Sequence, residues 1–219
     1  MGKKETSILI IYTGGTIGMV HDPKTGSLVP IDFKNITDHV PVLSSFGVEL
    51  QSVTFDPVQD SSNIDPGMWV KMAETIEAHY DKFDGFVVLH GTDTMAYSAS
   101  ALSYMLGNLS KPVIFTGSQL PIGLPRTDGR ENLITSIEIA AAQENGSPLV
   151  PEVCIYFDNE LTRGNRTTKL SAEHFDAFSS PNYPPLAKVG LHLKYNFTSI
   201  KYPGRNTRLK VHKSFDNNV

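Results

Sequence analysis

The sequence predicts an α/β fold in which helices cover both faces of a doubly wound, mostly parallel sheet. Two observations carry that prediction. Short apolar runs alternate with longer helix-periodic stretches through roughly the first 160 residues of this 219-residue chain, as in βαβ units. The apolar runs are rich in Ile, Val and Phe, which is typical of strands in a parallel sheet covered on both faces. Sheets of this kind bind ligands in a crevice at the carboxyl ends of their strands, so we expect function in the loops there.

Five strands are predicted from runs of Ile, Val and Phe that turn residues bound on both sides. They cover Ser7–Tyr12, Val48–Phe55, Phe86–His90, Val113–Thr116 and Val153–Phe157. Right-handed crossovers that join such strands place helices on both faces of the sheet. The expected architecture therefore has three layers and is flavodoxin-like.

Three helices are predicted in the stretches between these strands. They cover about Gly67–Tyr80, Thr94–Leu106 and Asn132–Ala142. Asp65 and Pro66 precede the first helix as a cap and a first-turn proline. Gly107 and Gly146 mark the ends of the second and third helices, because glycine readily adopts the left-handed conformation that ends a helix.

The pattern changes from Asp158 onward. Prolines become frequent, and apolar residues alternate with polar ones over Leu191–Phe197 and again over Leu209–Phe215. Such alternation is typical of strands with one buried face. We therefore expect these two segments to pair as a β-hairpin appended to the C-terminal end of the sheet.

Composition and charge favour small-molecule chemistry. The net charge is −4 at pH 7, and the 19 Lys and Arg residues are scattered, so no nucleic-acid or membrane surface is indicated. The single cysteine, Cys154, excludes a disulfide framework and a cysteine-rich zinc site. The first apolar run is too short for a signal peptide, and no stretch approaches the length that spans a membrane. The expected location is the cytoplasm.

Three loops that follow predicted strands carry glycines and hydroxyls. They are Thr13–Gly18 (TGGTIG), His90–Thr94 (HGTDT) and Gly117–Gln119 (GSQ). Glycines let backbone N–H groups approach a ligand, although a single glycine pair is equally well explained as a strand-to-helix turn. The fingerprints of dinucleotide-binding and phosphate-binding loops are both missing from the sequence, so nucleotide binding is not indicated.

The polar residues of this crevice are candidates for catalysis by a hydroxyl. Thr16, Thr92 and Asp93 lie in the glycine loops, and Asp60–Ser62 follows the second strand. A threonine hydroxyl is a weak nucleophile unless a base takes its proton and a donor stabilises the resulting oxyanion. Lys169 is a candidate base if it is buried, but a lone lysine judged by spacing alone is better explained as a solvated surface residue.

The loop motifs together resemble the bacterial-type L-asparaginases, specifically their cytosolic type I branch. The resemblance rests on TGGTIGM at Thr13–Met19, HGTDTMAY at His90–Tyr97, TGSQLP at Thr116–Pro121 and RGNRTTK at Arg163–Lys169. It spans essentially the whole chain, and the motifs follow in the family's order. It implies a homo-oligomer, a dimer or tetramer, that hydrolyses L-asparagine to L-aspartate and ammonia without metal or cofactor. L-glutamine is left open as a second substrate.

The resemblance also assigns catalytic roles. Thr16 is the implied nucleophile, which attacks the side-chain amide and gives an acyl-enzyme that water resolves. Thr92, Asp93 and Lys169 form the implied second catalytic group, in which Lys169 holds Thr92 able to accept a proton. For the assignment to hold, these four side chains must converge on one pocket.

Substrate-binding roles are implied for the neighbouring residues. Asp93 would pair with the α-ammonium group of the substrate, since a desolvated site must neutralise that charge. Asp60, Ser61 and Ser62 resemble the loop that grips the α-carboxylate and α-amino groups. Backbone donors around Gly91, beside Thr92, would face the oxyanion.

Two departures from the family pattern affect what is expected. The loop Met19–Pro30 lacks the tyrosine that many relatives carry near Ser27 or Leu28. The chain also ends about where the family's smaller second domain would begin. We therefore expect residues 1–200 to be an N-terminal catalytic α/β domain, and 201–219 to be a hairpin strand or linker toward a C-terminal domain that this chain lacks.

Two other functions fit the same motifs. One is the ammonia-releasing subunit of a glutamyl-tRNA amidotransferase, which is a relative of the asparaginases. The other is a non-catalytic amino-acid-binding fragment, in which the loops bind the substrate but do not turn it over. His90 is predicted to pack or hydrogen-bond at the strand end rather than to act as a base, because no second histidine lies at a suitable spacing.

Overall fold

The structure is a computed structural model that describes residues 5–22, 24–31, 36, 40–172 and 174–216. In chain order its strands are β1 (Thr6–Tyr12), β2 (Met19–His21), β3 (Leu28–Pro30), β4 (Val48–Thr54), β5 (Gly85–Leu89), β6 (Leu106–Gly107), β7 (Val113–Thr116), β8 (Gln143–Glu144), β9 (Ser147–Pro148), β10 (Val153–Phe157), β11 (Glu160–Arg163), β12 (Thr168–Lys169), β13 (Phe178–Ser179), β14 (Ala187–Val189), β15 (Leu193–Tyr195) and β16 (Lys210–Val211). Its helices in the same residues are α1 (Pro66–His79), α2 (Met95–Met105) and α3 (Gly129–Ala141).

The main sheet has eight strands within these ranges, in the spatial order β15, β14, β11, β10, β7, β5, β1, β4. The five strands from β10 to β4 are parallel, and the other three extend the sheet in antiparallel pairing. Numbered in chain order, the parallel strands lie 2-1-3-4-5, which is the flavodoxin order. That order reverses between β1 and β5. The ligand crevice of such a sheet therefore lies at the carboxyl ends of these two strands.

Two apolar cores, one on each face of the sheet, confirm the three-layer prediction. On β1, Ile10 faces one core and its neighbour Ile11 faces the other. Helix α3 contributes Ile137 to the first core, whereas α1 and α2 contribute Ile76 and Leu102 to the second. All five are completely buried. Burial of such side chains stabilises the fold by about 1.5–3 kcal/mol each, so β1 is held from both sides.

A side-chain cap explains where α1 begins. The Asp65 carboxylate accepts the backbone N–H of Met68 at 2.9 Å, and Pro66 is the first residue of α1, as predicted. Helices α1 and α2 begin and end within one residue of their predicted bounds, whereas α3 begins at Gly129, three residues early. No helix in the described ranges is long and apolar enough to cross a membrane.

The predicted pairing of the C-terminal hairpin is wrong. Strand β15 pairs with β14 at the edge of the main sheet, and β16 pairs with β6 instead. The loop 190–192 that joins β14 to β15 has three residues, so this pairing closes at a small entropic cost. The residues after β16 pack on α1 and not beside β15. The Phe215 ring lies 5.5 Å from the ring of Trp69 on α1.

Candidate active site

Two glycine loops meet at the point where the strand order reverses. The loop after β1 is held to the end of β5 by Thr13, whose backbone N–H and hydroxyl both donate to the Leu89 carbonyl, at 3.0 and 2.9 Å. Gly15 has a φ of +90°, and a Cβ placed on it would lie 2.5 Å from the backbone nitrogen of Gly91. Only glycine allows this approach. The loops that carry Thr16 and Thr92 are therefore in backbone contact.

Thr16 opens a short 3-10 turn, Thr16–Gly18, and is half-buried. Tyr12 supports the turn, because its hydroxyl donates a hydrogen bond to the Gly15 carbonyl at 3.2 Å. Burial raises the pKa of Tyr12 to about 12, so this phenol stays protonated and acts as a donor. In the described part of the chain, the Thr16 hydroxyl makes no hydrogen bond to Thr92, Asp93 or Lys169.

The second predicted group is assembled. Lys169 donates from Nζ to Thr92 Oγ1 at 2.8 Å and to Asp93 Oδ1 at 2.8 Å. The Lys169 side chain is only 15% exposed, whereas that of Asp93 is 63% exposed. The interpretation of Lys169 as a solvated surface residue, which spacing alone favoured, is therefore wrong. Its strand β12 pairs locally with β13, and its ammonium group makes the long-range contact, to Thr92, 77 residues away in the chain.

The loop after β4 joins the same surface. Asp60 accepts the backbone N–H and the hydroxyl of Ser62 at 2.9 and 2.8 Å, and these bonds hold the pKa of Asp60 below its ordinary value. Ser61 is buried, and its carbonyl accepts the Thr94 hydroxyl at 2.6 Å. A Cβ on Gly91 would lie 2.6 Å from the Ser61 hydroxyl oxygen. The loop 60–62 is thus fixed to the loop of Thr92.

A buried hydrogen-bond chain supports the Thr92 loop. Trp69 donates its indole N–H to the Ser98 hydroxyl at 2.9 Å, and Ser98 lies 2.9 Å from His90 Nε2. Ser98 therefore has its own hydrogen to give to Nε2, which leaves Nδ1 to donate to the Gly91 carbonyl at 2.7 Å. Burial lowers the pKa of His90 to about 4 and keeps the ring neutral. The prediction that His90 hydrogen-bonds at the strand end is confirmed.

Sequence reasoning did not single out Gln119, at the end of the loop after β7. Its Oε1 lies 3.5 Å from Thr92 Oγ1, and its Nε2 donates to the His174 and Ala172 carbonyls at 3.0 and 3.4 Å. Its backbone N–H donates to the Asp128 carboxylate at 2.9 Å. The sequence did contain a signal that Gln119 belongs to the site. The GSQ motif follows β7, which neighbours β5, and the carboxyl ends of adjacent parallel strands meet at one edge of the sheet.

This arrangement can perform acyl-transfer chemistry with hydroxyls. Thr16 lies on a loop in backbone contact with the Thr92 loop, but its hydroxyl makes no hydrogen bond to the second catalytic group in the described part of the chain. The Thr92 hydroxyl, in contrast, is held in place by the Lys169 ammonium group. The neutral, fully engaged His90 is not available as a base. Thr92 and Lys169 are therefore the candidates for proton transfer.

Comparison with known proteins identifies relatives. The chain matches the family model described as "Asparaginase, N-terminal" over residues 7–201. It is 47% identical over 196 residues to L-asparaginase 1 of Escherichia coli K12, covering 87% of this chain and 55% of that protein. It is 41% identical over 238 residues to the 60 kDa lysophospholipase of Mus musculus, covering 98% of this chain and 41% of that protein.

A solved structure matches the fold as well as the sequence. The crystal structure of L-asparaginase I from Vibrio cholerae superposes with a TM-score of 0.81 at 42% identity, and the match covers 95% of this chain and 61% of that chain. The chain thus spans about half the length of the curated relatives that it matches.

Proposed function

Since the chain belongs to the asparaginase family and matches its N-terminal region, we propose that it is the catalytic part of an L-asparaginase of the cytosolic type I branch. The proposed reaction is hydrolysis of L-asparagine to L-aspartate and ammonia. One observation carries the proposal: Lys169 holds Thr92 and Asp93 together beside the loop that presents Thr16. That set of groups suits amide hydrolysis through a threonine ester.

We assign the nucleophilic role to Thr16. Its Oγ1 attacks the carbon of the side-chain amide and forms a C–O bond, while its proton passes through the Thr92 group to the amide nitrogen. The C–N bond then breaks, ammonia leaves, and an aspartyl ester of Thr16 remains. Water attacks this ester in the second half of the reaction, which releases aspartate and returns the proton to Thr16.

Thr92 and Lys169 act as one unit in this scheme. The Lys169 ammonium occupies one lone pair of Thr92 Oγ1 at 2.8 Å. The other lone pair is left to accept a hydrogen bond from the Thr16 hydroxyl, and later from the attacking water. As it accepts the Thr16 proton on that lone pair, Thr92 passes its own hydrogen to the amide nitrogen. The positive charge of Lys169 stabilises the negative charge on Thr92 Oγ1 while that hydrogen leaves.

Asp93 and the loop 60–62 are the proposed substrate-binding groups. The Asp93 side chain is 63% exposed, so its carboxylate stays accessible to an α-ammonium group while it pairs with Lys169. Asp60, Ser61 and Ser62 line the same surface, where their polar groups would bind the α-carboxylate and α-amino groups. The backbone N–H near Gly91 would face the oxyanion.

Assembly and location complete the proposal. We assign residues 1–200 to the N-terminal catalytic α/β domain and 201–219 to a linker toward a C-terminal domain. The longer protein would work as a homo-oligomer, a dimer or tetramer, in the cytoplasm. These statements follow from the family resemblance.

Ammonia release tests the proposed function. The 219-residue chain is assayed with L-asparagine and with L-glutamine, and its melting temperature is recorded with each. The proposal predicts ammonia from asparagine and stabilisation by it. Stabilisation without ammonia would instead identify the chain as a binding fragment. Turnover of glutamine in preference to asparagine would favour the amidotransferase subunit.

A further inference from the structure

The Gln119 side chain joins three segments of the candidate site. Its backbone is anchored through Asp128, the residue before α3, which accepts the Gln119 N–H at 2.9 Å. Its side chain lies between the Thr92 loop and the segment that follows Lys169. Gln119 is half-buried, and both polar atoms of its amide face protein groups. These contacts fix the side chain between the two halves of the second catalytic group.

The partners of Gln119 determine which way its amide points. The carbonyls of Ala172 and His174 can only accept hydrogen bonds, so the atom that faces them must be the NH₂ group. The atom that faces Thr92 is therefore the carbonyl oxygen, an acceptor. A reversed amide would place an oxygen against two carbonyl oxygens and is excluded on electrostatic grounds.

The hydroxyl of Thr92 needs such an acceptor. Lys169 is a donor and occupies one lone pair of Oγ1, so the hydroxyl hydrogen must point elsewhere. Gln119 Oε1, at 3.5 Å, is the only acceptor for it in the part of the chain that the structure describes. This distance is at the outer limit of a hydrogen bond, so the contact orients the hydroxyl and binds it weakly. The second lone pair is then directed into the crevice.

We propose that Gln119 is a positioning residue for amide hydrolysis. Its carbonyl oxygen turns the Thr92 hydroxyl so that a lone pair faces the nucleophile, and its NH₂ group holds the segment after Lys169 against the Thr92 loop. The inference rests on the proposed function, because it acts through the role given there to Thr92. It adds a residue to the site that does not itself touch the reacting atoms.

Two variants of Gln119 separate positioning from a merely structural role. Gln119→Met keeps the length of the side chain and removes both polar contacts. Gln119→Glu keeps an acceptor for Thr92 but sets an anion against the carbonyls of Ala172 and His174. Gln51→Met is the matched control, because Gln51 lies on β4 and its side chain contacts Glu49. The kcat and KM for L-asparagine and the melting temperature are measured for each.

Positioning predicts that kcat falls about tenfold in Gln119→Met while KM changes less than about threefold. It also predicts opposite orders of activity and stability: Gln119→Glu has the lower melting temperature of the two variants but the higher kcat. The control keeps the kcat of the wild type. A structural role would make activity follow the melting temperature, so that Gln119→Glu is the less active variant.

Three results would overturn the inference: an unchanged kcat in Gln119→Met, an effect on KM alone, or less activity in Gln119→Glu than in Gln119→Met. Failure of the proposed function looks different. In that case the wild-type chain releases no ammonia from asparagine, and the basis for this inference is lost with it. An active wild type beside an equally active Gln119→Met overturns the inference alone.

Discussion

The loops of Thr16 and Thr92 face one crevice but are held in different ways. Thr92 is fixed through its side chain, by Lys169 on one side and Gln119 on the other. Thr16 is positioned through its loop, by the close approach of Gly15 to Gly91 and by the hydrogen bonds of Tyr12 and Thr13. The Thr92 hydroxyl is thus held by two side chains, whereas the Thr16 hydroxyl makes no hydrogen bond to the described residues around it.

This difference matches what each group has to do. Electrostatic stabilisation works best when its donors need no reorganisation during the reaction, which favours a rigid Thr92 group. The proposed nucleophile, Thr16, must instead turn toward the substrate carbon and then carry an acyl group, which favours a hydroxyl that is engaged by its base only when substrate is bound. The hairpin of β2 and β3 follows the Thr16 loop directly, and its tip, residues 24–28, is exposed.

Removal of the nucleophile should have the largest effect. Thr16→Ala is expected to lower kcat by at least about ten-thousandfold, because no other group can form the acyl-enzyme. Its melting temperature should stay near that of the wild type, since the Thr16 hydroxyl makes no hydrogen bond in the described structure. Thr207→Ala, at an exposed threonine far from the crevice, is the control. Comparable activity in the two variants would remove Thr16 from the mechanism.

Removal of the ammonium group should have the next largest effect. Lys169→Met is expected to lower kcat by about a thousandfold, because Thr92 loses the donor at 2.8 Å and Asp93 loses its counter-charge. Steady-state kinetics provide the measurement. Lys188→Met is the control, since Lys188 forms an exposed ion pair with Glu160. If both lysine variants kept wild-type kcat, the preassembled group would have no catalytic role.

The backbone contact between the loops can be broken at Gly15. Gly15→Ala puts a Cβ 2.5 Å from the Gly91 nitrogen at a φ of +90°, so we expect a loss of about 3 kcal/mol in unfolding free energy. Gly26→Ala is the control, because Gly26 has a φ of +70° and no atom within 4 Å of the added Cβ. It should cost about 1 kcal/mol, the backbone strain alone. Equal losses in urea denaturation would show that the loops are not in contact.

The support beneath the Thr92 loop predicts a smaller effect, on pH dependence. Burial lowers the pKa of His90 from 6.5 to about 4. Between these two pH values His90 is therefore protonated in the unfolded chain but neutral in the folded chain. The stability that His90 contributes is therefore present above pH 6.5 and is lost as the pH falls toward 4. Between pH 7 and pH 5 the loss amounts to about 2 kcal/mol.

NMR titration of the histidine side chains isolates this effect from that of the carboxylates. The resonance of His90 should not shift until the pH falls below 5. Titration of His90 with a pKa near the ordinary value of 6.5 would show that its ring is not buried beneath the Thr92 loop.

The parallel part of the fold could be predicted closely, because its strands are rich in Ile, Val and Phe and turn residues bound them. The predicted and observed bounds of all five parallel strands agree within one residue. Strand β11 was not predicted, because it contains polar residues such as Arg163. That side chain is buried because Glu152, eleven residues away, pairs with it at 2.6 Å and the Ser199 carbonyl accepts a hydrogen bond from it at 2.9 Å. The hydrophobic periodicity of the sequence cannot show that a distant carboxylate neutralises a buried arginine.

The turns were less accessible to sequence reasoning. Asp158 and Asn159 both have positive φ, at 42° and 68°, and they join β10 to β11. Asn145 and Gly146, at 52° and 77°, join β8 to β9 in the same way. Asn-Gly is a recognised hairpin signal, so the second turn was within reach of the sequence. The first was not, because an Asp-Asn pair does not specify positive φ so strongly.

Local motifs identified the residues of the site but not its contacts. The threonine motifs and RGNRTTK single out Thr16, Thr92 and Lys169 by order and type. Lys169 contacts Thr92 77 residues away, and the proposed role of Gln119 depends on carbonyls more than fifty residues away. Contacts of this kind arise from the tertiary fold, and spacing along the chain does not contain them.

Mass spectrometry of the acid-quenched chain, mixed briefly with L-asparagine, tests the central claim most directly. The account predicts a fraction of chain that is heavier by one aspartyl group, with the addition mapped to Thr16 after proteolysis. The addition should vanish in Thr16→Ala and persist in Thr207→Ala. An addition on Thr92, or one that survives in Thr16→Ala, would contradict the division of labour between the two loops.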